Sequence, residues 1–185
     1  MKHLMVATVA GVATAVTALA TPGSGVATHQ ISSPATTVFA RASFQDRVDI
    51  KIKIHDQDHQ GQGHHGKGHH GQGQEVLHVP DARETVVQRV VLSPQGHTGW
   101  HSHPGPVIVL VKAGTLTFYS GDDPACGSRT YTAGQSFIDS GQGHVHIARN
   151  ESATADLELW AVYLDVPPGG AFRNDVVPAP GNCTF

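Results

Sequence analysis

Between residues 85 and 165 the chain holds no run suited to a helix. Strand-like segments recur at short intervals instead: TVVQRVVL (85–92), VIVLVK (107–112), TLTFY (115–119), QSFID (135–139), HVHIA (144–148) and LELWAVYLD (157–165). Between them stand SPQG, HPGP, AG, GDDP, SGQG and VPPGG. These are turn formers, because Gly accepts positive φ, Pro fixes φ and lacks an N–H, and Asp bonds its own backbone. Past residue 20 no segment keeps helical apolar spacing for ten residues. Many short strands with regular turn signals predict an all-β sandwich or barrel.

The 185 residues suffice for one ordinary domain with a sizeable core. A net charge of −3 without a basic patch gives no basis for nucleic-acid binding. The compositional anomaly is 14 histidines. Residues 1–20 read as a signal peptide: a short basic start, a 17-residue Ala/Val-rich run and an Ala18-Leu19-Ala20 cleavage signal. The alternative is a membrane anchor, but the run is Ala- and Thr-rich and near the lower length limit for a span. The expectation is a secreted or extracytoplasmic protein, off the membrane after cleavage.

Residues 21–43 are Ser/Thr/Pro/Ala-rich and aperiodic, which predicts a flexible linker. The domain then runs over 44–185. VDIKIKI (48–54) alternates like a half-buried strand. It leads into a His/Gly-rich tract over 55–74, expected to be disordered. The tract's paired imidazoles, His64, His65, His69 and His70, suit Zn, Ni or Cu; a solvated insertion without function is the competing reading. Cys126 and Cys183 are an even pair, which export makes a candidate disulfide. The alternative, a Cys metal ligand, lacks a CxxC or CxH neighbourhood.

His101 and His103 stand two apart, at the opening of a hairpin read on VIVLVK with Ala113-Gly114 as its turn. His144 and His146 repeat the spacing after a Gly-rich turn. Across one barrel the two pairs can meet, and neutral imidazoles in a set of three or four form a complete or open shell for a divalent metal. In these residues the chain resembles a small single-domain bacterial cupin, a jelly-roll-like antiparallel β-barrel. The first motif of that family matches at His101-x-His103, three residues, Val107, six residues, Gly114, with Gly96 one residue closer than the pattern asks. The second matches at Gly143, two residues, His146, three residues, Asn150; Gly141 stands at the Pro position, and Gly134 is one residue farther away.

The resemblance implies a metal held by His101, His103 and His146, with Fe, Zn, Cu, Ni and Mn all open. The family's glutamate position falls on Val107, which cannot ligate. His97 and His144 are the nearby imidazoles that remain to replace it, or else they are rim and hydrogen-bonding residues. Three neutral imidazoles leave a divalent ion its full charge, which favours an anionic or chelating ligand. Three-histidine cupins such as the thiol dioxygenases use open iron positions, so the resemblance implies an oxidoreductase of the dioxygenase type acting on a small molecule. The other reading is a non-catalytic extracytoplasmic cupin that binds a metal or small ligand. A homodimer is open. Trp100, Tyr119 and Tyr131 are weaker candidates for the pocket; alternation places Arg149 outside, and Asn150 is expected to end its strand.

Overall fold

A computed structural model describes residues 33–55 and 74–185. Among them the strands in chain order are β1 (Ala35–Ser43), β2 (Ile50–His55), β3 (Gln74–Val79), β4 (Glu84–Leu92), β5 (His101–Ser102), β6 (Val107–Ala113), β7 (Thr115–Ser120), β8 (Ser128–Thr132), β9 (Ser136–Asp139), β10 (His146–Arg149), β11 (Leu157–Val166) and β12 (Asn174–Asp175). No helix occurs among the described residues. Two five-stranded antiparallel sheets, ordered β1-β4-β11-β6-β9 and β12-β5-β10-β7-β8, form an all-β jelly-roll barrel, with β2–β3 as a separate pair.

The alternating runs carry the core. In β4 every second residue from Glu84 to Leu92 is buried, and β11 buries Leu157, Leu159, Ala161 and Tyr163 on the same rhythm. Leu92, Leu116 and Leu157 are fully buried, each stabilising by roughly 1.5–3 kcal/mol. They join Val90, Val111, Ala148 and Leu159 in one apolar cluster, while Val86, Val107, Ala161, Tyr163 and Val166 form a second. Asn150 ends β10 as expected. Buried, it donates to the carbonyls of Leu92, Ser93 and Ala155 and accepts from Ser152 N–H.

Two turns bring the histidine motifs together. Gly141 has φ +60°, and a Cβ there would fall 1.8 Å from the Gly105 carbonyl oxygen. A Cβ on Gly105 would in turn fall 2.1 Å from the Leu164 carbonyl oxygen. Only glycine allows this backbone contact, so the HPGP and SGQG turns abut. The Gly143 N–H donates to the His103 carbonyl across the same junction (3.0 Å).

Three expectations need correction. The linker read over 21–43 ends earlier, because Ala35–Ser43 form β1, paired with β4 from Ala35↔Val91 to Ser43↔Glu84. All nine residues of β1 are exposed, so no apolar alternation marks it in the sequence. It is held by ladder bonds, by Phe39 stacked on Trp160 (4.8 Å) and by Arg41 bound to Glu84. The hairpin read at Ala113-Gly114 is instead a crossover: β6 pairs with β11 and β9, and β7 with β10 and β8. The tract's boundary also moves, since His55 and Gln74 pair as the last and first residues of β2 and β3. The signal-peptide span 1–20, the linker to residue 32, and His64, His65, His69 and His70 lie outside the described residues.

Candidate metal centre

His146 on β10 is the direct cross-strand partner of His101 on β5, and His103 shares the face of His101 by the period of two. The three side chains are buried, and one ring nitrogen from each lies within 4.8 Å of the others. Ring centroids are 4.3 Å apart for His101–His146, 4.8 Å for His101–His103 and 5.2 Å for His103–His146.

The backbone fixes two of the tautomers. His101 Nδ1 lies 2.8 Å from the Gly99 carbonyl oxygen, and His103 Nδ1 lies 2.7 Å from that of Phe172. A carbonyl only accepts, so both Nδ1 atoms carry the proton and both Nε2 atoms keep a lone pair. This is how proteins orient metal-ligating imidazoles. Burial pushes all three histidines below the ordinary range, His146 to about 4, so each is neutral at pH 7. Neutral imidazoles with converging lone pairs fit a divalent ion.

A buried carboxylate, which the sequence reading missed, stands beside the trio and forms a second group with His144 and His146. Asp139 ends β9 as the Cα partner of Val107, with 2% of its side chain exposed. Its Oδ2 lies 3.8 Å from His103 Nε2, and its Oδ1 lies 3.6 Å from His146 Nδ1 and 3.5 Å from His144 Nδ1. Burial opposes its ionisation, but His144, His146 and His103 together hold it below the usual carboxylate range. Asp139 Oδ2, His146 Nδ1 and His144 Nδ1 are buried without a hydrogen-bond partner.

The histidines open on a cavity of about 380 Å³ between the sheets. Its walls are mainly apolar, from Val90, Val109, Phe118, Phe137 and Leu159. Polar groups are few: Tyr163 donates to Gln88 Oε1 (2.7 Å), and Arg173 donates to the Thr98 carbonyl (2.7 Å). These residues are legible in hindsight, because Gln88, Asp139 and Tyr163 are polar residues in the inward phase of apolar strands.

The other candidates stand elsewhere. His97 is half-buried at an isolated antiparallel bridge to Arg149, where its Nδ1 accepts from the Gly99 N–H (3.0 Å), and it does not join the cluster. His144 lies behind Asp139, with Nε2 2.7 Å from Ser120 Oγ and 3.6 Å from Asp122, and groups with Asp139 and His146 instead. Trp100 stacks on Phe185 and Tyr119 packs against the same ring, both away from the cavity. Tyr131 stacks on Phe137 (4.2 Å) and faces a neighbouring cleft. Arg149 is outside, over the Phe185 ring at 4.0 Å. Cys126 and Cys183 form the disulfide.

No protein-family model matches the chain, and no curated protein matches it. Solved structures do resemble it. An oxalate oxidase is 23% identical at TM-score 0.41, over 50% of this chain and 46% of that one. The DMSP lyase DddQ from Ruegeria pomeroyi is 17% identical at TM-score 0.42, over 51% and 44%. A cupin domain from Bordetella pertussis is 26% identical at TM-score 0.37, over 44% and 82%. The matches span less than half the length of the first two.

Proposed function

We propose that this chain, an all-β cupin barrel, is exported, holds a divalent metal on His101, His103 and His146, and acts as a dioxygenase-type oxidoreductase on a small anionic or chelating substrate. The observation that carries the reading is the buried trio of neutral imidazoles facing a cavity of about 380 Å³. Iron, when bound, supplies redox chemistry and exchangeable coordination positions. The chain's own residues do the rest. The Gly99 and Phe172 carbonyls keep His101 and His103 in the ligating tautomer. The cavity walls are mainly apolar, the Tyr163–Gln88 pair offers a polar contact inside, and Arg173 reaches the lining already paired with Asp175. The Cys126–Cys183 bond supports export, since such bonds persist in oxidising compartments. Elemental analysis of tag-free protein, followed by oxygen uptake with small carboxylates, tests the reading. Bound iron with substrate-dependent uptake supports it; zinc, copper or no metal, without uptake, overturns the enzymatic part.

The second reading is a non-catalytic extracytoplasmic protein that captures a metal or metal–ligand complex. The His/Gly tract favours it, because its ends are joined by the His55↔Gln74 pair. Metal held by the imidazoles of His64, His65, His69 and His70 would raise the local metal concentration. Deleting residues 56–73 should spare one tight metal site, remove a weaker multi-ion phase of a zinc titration, and leave the melting temperature nearly unchanged.

A further inference from the structure

The family motif loses its glutamate at Val107, yet the barrel interior has not lost the charge. Val107 is 1% exposed, and its cross-strand partner on the same face is Asp139. The carboxylate stands one strand to the side of the motif position, on β9 rather than β6. Its Oδ2 has no hydrogen-bond partner, although an ionised carboxylate buried this deeply needs one. That oxygen lies 3.8 Å from His103 Nε2, the atom whose lone pair is free. Two donors at that separation can share one ion with bonds of about 2.1 Å.

We infer that Asp139 supplies the metal-binding carboxylate of this chain, holding a divalent ion together with His101, His103 and His146. The inference rests on the three-histidine reading above. It changes the charge of the centre: three imidazoles and one carboxylate leave an ion at +1, where the histidines alone would leave +2. It also gives His144 a place outside the ligand set. Its ring lies 3.5 Å from Asp139 Oδ1 and 2.7 Å from Ser120 Oγ, a positioning contact on the oxygen that does not point to His103. The competing role for Asp139 is to orient His146 through its Nδ1, 3.6 Å away, with no bond to the metal.

Cobalt(II) titration of the full chain, with His64, His65, His69 and His70 changed to Ser, separates the two. Asp139→Asn is isosteric and keeps an acceptor oxygen for His146, but loses the ligating charge. Asp139→Ala removes both. As a ligand, Asp139 predicts that Asn and Ala each weaken cobalt and alter its visible absorption. The altered absorption in Asn is the discriminating readout, since loss of a partner that only orients His146 also costs about tenfold or more in affinity. Val107→Glu placed in the Asp139→Asn background should then recover affinity and the original spectrum. Cadmium NMR of the site with Asp139 intact reads the ligand set without relying on any variant's folding, and an oxygen-containing set is expected. Wild-type affinity and spectrum in Asp139→Asn, with loss only in Asp139→Ala, would overturn the ligand role and leave the three-histidine site standing. Absence of tight cobalt binding with Asp139 intact overturns both.

Discussion

Val107 and Asp139 are direct partners across β6 and β9, so the apolar residue at the motif's carboxylate position faces a buried aspartate. The pair explains how a cupin barrel can carry valine there and keep an acidic interior.

It also sets a first prediction. Val107→Glu alone puts two carboxylates side by side in a space with few hydrogen-bond donors. The metal-free variant should lose several kcal/mol of stability. Adding Asp139→Asn should relieve most of the loss. Denaturant unfolding of the three proteins without metal checks this; equal stability of the single variant and wild type would argue against the pairing.

A second prediction concerns the C-terminal tail. The Cys126–Cys183 bond links residues 57 apart and holds Phe185 against Trp100, Tyr119 and Arg149. Cys183→Ser should lower stability by about 4 kcal/mol in the chain-entropy estimate. Peptide mapping without reductant should show the cross-linked pair in the unaltered protein. Free thiols at both positions would contradict it.

Asn150 ties the end of β10 to two other segments. Its amide serves three carbonyls that no solvent reaches easily, so Asn150→Ala should cost roughly 3 kcal/mol. Asn150→Asp should be no better, because it removes the donors and adds a buried charge. Chemical denaturation reads both.

Glu84 connects the edge strand to the site. It accepts from Arg41 and Ser43, and Arg41 also donates to the carbonyls of Gly170 and Pro167, just before the Phe172 carbonyl that holds His103. The Arg41 guanidinium, with the Gly169 N–H and Ser43, overcomes burial and holds the Glu84 carboxyl below its ordinary value of 4.5. Because the folded value is the lower one, the stabilisation is present above pH 4.5 and is lost as pH falls through the folded value. Glu84→Gln should therefore melt below wild type near neutral pH, with the gap closing in acid. A gap that does not change with pH would exclude the ion pair as its source.

The barrel was legible because its strands are short apolar runs bounded by turn formers, with burial alternating along β4 and β11. β4, β6, β7 and β11 match the apolar runs in the sequence to within a residue or two. β1 was not, since a strand exposed along its whole length buries nothing and leaves no periodic signal. The crossover at Gly114 was misread because a two-residue turn between strands looks the same whether the strands pair or separate. At the site, spacing marked the pairs His101/His103 and His144/His146, and the family resemblance singled out His101, His103 and His146, the three that the structure groups. Asp139 was not, because partnership across β6 and β9 is a matter of register, and register joins residues 32 positions apart. A polar residue in the inward phase of QSFID was the available clue.

The central claim is that the three histidines hold a metal. The most direct test is metal stoichiometry of tag-free full-length protein and of His101→Ala, His103→Ala and His146→Ala, each with His64, His65, His69 and His70 changed to Ser. The account predicts one tightly held divalent ion per chain when the trio is intact and an empty site in each Ala variant, because two imidazoles are too few to retain it. An undiminished metal content in all three variants would contradict it.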